Sequence, residues 1–313
     1  MRLAITLPLL LLAGLTLVSL SMRTKSAPES LAYIAAEPTP TLQSAQAYLA
    51  PIAEPAYAPI RDTAIADPVV DANVALLSDL DSGRVLYEKN ASVKVPIASL
   101  TKLLSAVVAT ELFDAHDIVT IASESIRVDG QKQTLYDGER VAVGDLIAMM
   151  LVESSNDAAY ALAGHARVSG IDFVARMNQR ATQLGMDQCI FTNPAGLDDT
   201  AFCSATNLLK LVRFITKTMP ELWSTTTLAN LTVQSADGRF SHQLKNTDEL
   251  LGTLDGILGG KTGNTDGALG CLILVVKIPS NSDTLVSIVL GSRSRFTDTT
   301  TLLSWVTAAY RWH

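Results

Sequence analysis

The chain has 313 residues, 48% of them hydrophobic, so it can bury a full core, and its net charge is -7. No run of Lys or Arg is long enough to track a phosphate backbone, which argues against nucleic acid as a partner. Cys189, Cys203 and Cys271 lack a C-x-x-C spacing, and His116, His165, His242 and His313 lack an H-E-x-x-H spacing, so no metal site is indicated.

Residues Leu3 to Met22 follow Arg2 and carry no charge. Twenty such residues are about long enough to cross a bilayer, and they also fit a long signal-peptide core. Ser19-Leu20-Ser21 offers small residues for cleavage but not the preferred A-x-A. Residues 1–25 are therefore read as a signal anchor or a signal peptide. Either reading places the rest outside the cytoplasm, at the outer face of the cytoplasmic membrane. Residues 26–68 hold seven of the twelve prolines and read as an Ala/Pro-rich tether. A ragged arm lying on the domain is the alternative.

Globular composition runs from residue 69 to 313. Asn73–Ser78 and Arg84–Glu88 are predicted strands, joined by turn chemistry at Asp81-Ser82-Gly83. A helix is predicted over Ser99–Leu112, where Leu100, Leu103, Leu104, Val107 and Val108 recur at helical spacing. Asp145–Val152 and Asp157–Ala166 are two further helices, broken at Ser154-Ser155-Asn156, and Asn207–Lys217 is another. Leu269–Ile278 and Thr284–Leu290 are rich in Val, Ile and Leu and read as buried strands. Thr300–Tyr310 closes the chain as a helix. Strands at both ends with helices between them predict an α+β fold. One antiparallel sheet of about five strands would carry flanking helices and a mostly helical insertion.

Three short segments can carry chemistry. Ser99 and Lys102 are three residues apart at a helix start and so share a face. A serine hydroxyl needs a base, and lysine serves when burial or a nearby cation lowers its pKa. Alone, the pair is more simply a capping serine followed by a solvated lysine. Ser154 can pass a proton to a leaving amine, and the Asn156 amide can both donate and accept. Alone, this segment is more simply a helix start capped by Asn156. Lys261 and Thr262 can hold a carboxylate, and Gly263 lets a ligand approach the backbone. The Asn264 N–H can join that of Ser99 as an oxyanion hole. Alone, this is a Gly-rich turn into a strand. In this order and in these settings, the three correspond to the S-x-x-K, S-D-N and K-T-G elements of penicillin-binding proteins and class A β-lactamases.

From about Asn73 onward the sequence resembles the low-molecular-mass penicillin-binding proteins, the D-alanyl-D-alanine carboxypeptidase family. The resemblance extends over Asp79–Lys102, Ser155-Asn156-Asp157-Ala158 and Asn193-Pro194-Ala195-Gly196-Leu197. It continues over Asp255-Gly256, Gly260-Lys261-Thr262-Gly263, and Leu290-Gly291 leading to Arg295-Phe296. It implies a DD-peptidase fold and an acyl-enzyme on Ser99, with Lys102 as base and Ser154 and Asn156 as the middle element. Lys261 and Thr262 would bind the terminal carboxylate of a peptidoglycan stem peptide, with Arg295 adding positive charge. β-Lactams would acylate Ser99, and no metal or organic cofactor is implied. Two departures stand out. Ser155 occupies a position that is often glycine, and the chain stops at His313 where the family often continues into a β-rich domain and a membrane helix. A membrane anchor, if present, is then expected at the N-terminus.

A DD-endopeptidase cutting cross-links remains an alternative on the same residues. A class A β-lactamase is another, but no clear E-x-x-x-N element lies between the second and third motifs. A non-catalytic wall-binding protein is a third. Cys189 and Cys203 flank residues 193–197 and can either form a disulfide outside the cell or serve as two small buried thiols. Cys271 is expected to be buried. Asp157, Arg293 and His165 read as cap, surface charge and helix-face residue.

Overall fold

A computed structural model describes residues 59–127, 134–278 and 283–312. The apolar run Leu3–Met22 and the tether up to residue 58 lie outside them. Residues 59–68, which composition assigns to the tether, lie against the domain. There β1 (Ile60–Arg61) pairs with residues 310–311, and Trp305 Nε1 donates to the Ala66 carbonyl (2.8 Å).

Strands β2 (Val74–Asp79) and β3 (Val85–Lys89) form the predicted hairpin. Asp79 Oδ1 accepts from the Ser82 N–H (2.6 Å), and Gly83 turns the chain at φ +74. Short β4 (Val95–Pro96) leads into a single 3₁₀ turn, Ala98–Leu100, and then helix α1 (Thr101–Leu112). Strands β5 (Ile118–Thr120) and β6 (Arg140–Ala142) pair, followed by α2 (Val143–Val152) and α3 (Asn156–Val168).

Helix α4 (Phe173–Gln183) was not expected from the apolar pattern. Only Phe173, Met177 and Ala181 are buried, four residues apart, so its stripe is one residue wide. Asp172 caps it by accepting from the Ala175 N–H (2.9 Å). Strand β7 (Phe202–Cys203) pairs with β4, and α5 (Ala205–Thr218) follows. The hairpin of β8 (Asn230–Gln234) and β9 (Ser241–Lys245) is also unexpected, because its inward side carries only Val233, His242, Leu244 and the half-buried Leu231.

The chain then forms β10 (Ile257–Thr265), β11 (Leu269–Lys277) and β12 (Thr284–Ser292). It ends in α6 (Arg295–Ala309) and β13 (Tyr310–Arg311). Tyr310 belongs to β13 and not to the last helix, and that helix begins five residues before Thr300.

The main sheet has five strands in the order β10-β11-β12-β2-β3, every neighbouring pair antiparallel. The fold is α+β. The β2, β11 and β12 runs are apolar at nearly every position because both faces of the sheet are covered. Val74, Leu76, Ile273, Val275, Val286 and Ile288 pack on the core shared with α1, α2, α3 and α5. Ala75, Leu77, Leu272, Leu274, Leu285 and Val289 pack on Leu302, Trp305 and Val306 of α6. Each fully buried aliphatic chain contributes about 1.5–3 kcal/mol. Strand β10 is an edge, so one side of its backbone is free to face a cleft. Among the described residues no helix is long and apolar enough to cross a membrane.

Candidate active site

Ser99 lies in the middle of the 3₁₀ turn, not within a helix. Ala98 before it takes φ +47, a conformation that costs a non-glycine residue about 1–3 kcal/mol. Packing holds that turn in place. Glycine at 196 is required, because a Cβ there would lie 2.0 Å from the Ala98 carbonyl oxygen. Glycine at 263 allows a close approach from the other side, where a Cβ would stand 3.0 Å from the Ser99 nitrogen. The edge strand therefore closes directly on the serine.

Lys102 is the second residue of α1 and is completely buried. Its Nζ lies 2.7 Å from Ser99 Oγ, 2.8 Å from Asn156 Oδ1 and 2.9 Å from the Ala195 carbonyl oxygen. All three partners are neutral. Burial, and after it the charge of Lys261, hold the Lys102 ammonium well below the usual lysine range. A neutral Lys102 can receive the Ser99 proton across the same 2.7 Å contact.

The middle segment differs in detail from expectation. Ser155, not Asn156 or Asp157, caps α3, accepting from the Ala158 N–H (3.2 Å). With the cap filled, the Asn156 side chain is available to Lys102. Asp157 accepts instead from the N–H groups of Thr134 (2.9 Å) and Leu135 (3.4 Å), tying the neighbouring wall to the helix. Ser154 takes φ +65 and lines the cleft, but it is not among the hydrogen-bond partners of Lys102.

Lys261 is 1% exposed, and its Nζ donates to the Thr262 carbonyl (3.0 Å). Burial and then Arg295 push its pKa down to about 7, and Asp248 opposes the shift. Thr262 Oγ1 lies 2.5 Å from Thr247 Oγ1. The Gly260 N–H leaves the sheet and donates to Thr226 Oγ1 (3.1 Å). Strand pairing continues without a bulge to Thr265, so the Asn264 N–H is turned to the same outer edge as that of Gly260. Arg295, first residue of α6, donates weakly to the Gly263 carbonyl (3.5 Å) and to Asn264 Oδ1 (3.4 Å). Ser99, Ser154, Asn156, Thr262, Gly263, Asn264 and Arg295 thus line one cleft of about 580 Å³, with both lysines beneath it.

Sequence reasoning assigned no role to Asn193. Its Oδ1 accepts from the N–H groups of Ala195, Gly196 and Leu197 (2.9, 2.6 and 3.3 Å). That turn directs the Ala195 carbonyl to Lys102 and the Pro194 carbonyl to Ser105 Oγ (2.6 Å). The Asn-Pro-Ala-Gly run was its only signal. Thr247 and Asp248 left none. Asp248 is buried, and its Oδ2 has no hydrogen-bond partner. Burial raises its pKa, against the N–H of Leu250 and the charges of Arg295 and Lys261.

The chain is similar to DacF, a D-alanyl-D-alanine carboxypeptidase of Bacillus subtilis, with 28% identity over 252 residues. That match covers 78% of this chain and 64% of the relative, so the chain spans less than two thirds of DacF. It is 31% identical over 238 residues to a D-alanyl-D-alanine endopeptidase of Pseudomonas aeruginosa, covering 74% of this chain and 76% of that one. A solved D-alanyl-D-alanine carboxypeptidase of Mycobacterium tuberculosis superposes with a TM-score of 0.71 at 27% identity, over 80% of this chain and 96% of that chain. Penicillin-binding protein D2 of Listeria monocytogenes, solved in its ampicillin-bound form, gives 0.67 at 32% identity, over 77% and 98%. The family model of D-alanyl-D-alanine carboxypeptidase matches residues 61–294, three quarters of the chain and every residue of the cleft except Arg295, so the protein belongs to that peptidase family.

Proposed function

We propose that this protein is a serine-type D-alanyl-D-alanine carboxypeptidase acting on peptidoglycan stem peptides through an acyl-enzyme on Ser99. The observation that carries this reading is the 2.7 Å contact between Ser99 Oγ and a buried Lys102 whose ammonium form is disfavoured. Neutral Lys102 takes the hydroxyl proton as Oγ attacks the carbonyl of the penultimate D-alanine. The N–H groups of Ser99 and Asn264 receive the developing oxyanion. Lys261, Thr262 and Arg295 hold the terminal carboxylate, and Ser154 on the cleft wall passes a proton to the leaving amine. Water then releases the shortened peptide. A β-lactam acylates Ser99 by the same attack and leaves slowly. The substrate class places the domain outside the cytoplasm, with residues 1–25 as its anchor or signal.

A DD-endopeptidase is the second reading. The similarity to the Pseudomonas aeruginosa endopeptidase covers more of that relative, 76%, than the similarity to DacF covers of DacF, 64%. Mass spectrometry of the penicillin-treated chain is expected to find one stable adduct on Ser99 and none in Ser99→Ala. Labelling that survives that change would remove Ser99 from its role, and rapid β-lactam turnover would point to a lactamase. Free D-alanine from a pentapeptide stem, with a cross-linked dimer left intact, is the expected product pattern. Cleavage of the dimer would assign the endopeptidase.

A further inference from the structure

Cys189 and Cys203 form a disulfide that closes the segment containing Asn193–Leu197. This segment supplies the Ala195 carbonyl, one of the three acceptors around the Lys102 amine. Between α4 and α5 it contains no helix, and its only strand is the two-residue β7. Its position therefore depends on side-chain packing and on ties to neighbouring elements, among them Ser105 Oγ to the Pro194 carbonyl (2.6 Å).

Two of those ties run to the strand that leads into the nucleophile. Cys203 is fully buried and pairs with Val95, four residues before Ser99. The Ala201 carbonyl accepts from the N–H of Ile97, two residues before Ser99 (3.3 Å). On the outer limb, Ile190 and Phe202 exchange two backbone hydrogen bonds (2.8 and 3.0 Å). Asn178 of α4 brackets Phe191, accepting from its N–H (3.0 Å) and donating to its carbonyl (2.7 Å). Cys189 begins the outer limb and Cys203 ends the inner one, so the bridge joins the limb that carries Asn193 to the limb anchored beside Ser99.

Resting on the serine-peptidase reading above, we propose that the Cys189–Cys203 disulfide is a positioning element of the catalytic site, holding the Ala195 carbonyl against Lys102. A tie in this place fixes both limbs of the loop relative to β4. With the tie cut, the loop moves more freely, and Lys102 loses a full-time acceptor for its protonated form. Acylation of Ser99 then slows, and its dependence on pH moves, while the two cores on either side of the sheet remain packed.

The test compares the full chain as oxidised protein, after dithiothreitol, and as Cys189→Ser/Cys203→Ser. Reduction passes two electrons and two protons from the dithiol to the bridge, giving two thiols and the cyclic disulfide of the reagent. The readout is the second-order rate of Ser99 labelling by a fluorescent penicillin from pH 5 to 10, beside far-ultraviolet circular dichroism and a thermal melt. We expect about a tenfold slower acylation in both opened forms, an acidic limb moved to lower pH, and a cooperative melt with an unchanged spectrum. Removal of the reductant and reoxidation restores the rate of the wild type. Asn193→Ala, with the bridge intact, is expected to move the same limb in the same direction.

An unchanged rate and pH profile in the opened forms would overturn the proposal. So would loss of the cooperative melt, which would make the bond a staple of the whole domain. Failure of the serine-peptidase reading itself is distinguishable, because the oxidised chain would then not be labelled at Ser99 at all.

Discussion

The surroundings of Lys102 and of Lys261 make an instructive pair. Both lysines are buried beneath the same cleft, yet their partners differ in kind. Lys102 is surrounded by a hydroxyl, an amide oxygen and a backbone carbonyl, all neutral. Lys261 has one carbonyl, but it also feels the Asp248 carboxylate. Neutral acceptors favour the cation only weakly, whereas a carboxylate favours it strongly. Burial disfavours both cations, and the single negative charge at Asp248 makes the difference in kind. One lysine is thereby suited to take a proton and the other to hold an anion.

The largest effect should come from deleting the neutral amine. Lys102→Ala is expected to slow acylation by penicillin by about 10²–10⁴-fold with the fold intact, the range general-base catalysis spans. Stopped-flow acylation and a thermal melt check this, and near-normal acylation would remove Lys102 from the base role.

The comparison is broken more directly by giving Lys102 a carboxylate of its own. Asn156→Asp should raise the Lys102 pKa, because a carboxylate beside the amine favours the cation, and should slow acylation at neutral pH. Because the folded pKa is raised, the neutral base returns only as pH climbs, so the rate should recover at more alkaline pH than in the wild type. A rate that stays flat with pH would break the argument.

The converse change is Asp248→Asn. Lys261 titrates at about 7, so its cation is lost as pH rises through that value. Asp248 raises this pKa, and its removal should carry the rise in KM for a carboxylate-terminated peptide to lower pH. An unmoved KM profile would show that the carboxylate does not act on Lys261. The smallest effect is expected for Thr262→Ala. It should weaken peptides ending in a free carboxylate by about tenfold, as loss of one hydrogen bond to a charged group does, and amidated analogues less. Equal losses for both would count against carboxylate binding there.

Much of this arrangement is legible in one dimension. The strands β2, β3, β11 and β12 follow from apolar runs bounded by turn residues, and α1 from its helical spacing. The three motifs name Ser99, Ser154, Ser155, Asn156, Thr262 and Gly263 of the cleft. Less legible were the elements whose apolar signal is thin. Helix α4 buries one narrow stripe, and the β8–β9 hairpin buries a few side chains, one of them His242, paired at 2.6 Å with the buried Glu139. The cap of α3 was also misplaced, because Ser155, Asn156 and Asp157 are all good capping residues and only the backbone turn at Ser154 chooses among them.

By itself the sequence determined the residue types and their local settings: a hydroxyl and an amine three residues apart at a helix start, an amide beside a helix start, a cation and a hydroxyl on a strand. Local spacing is enough for that, since helix and strand geometry fix neighbours a few residues apart. Only the tertiary structure decided which charges meet. Asn156 is 54 residues from Lys102 and Ala195 is 93, and their contact with the amine requires α3 and the Asn193 turn to pack on α1. Depression of an amine pKa needs exclusion of water from all sides at once, and that is a property of the assembled core and not of any segment within it.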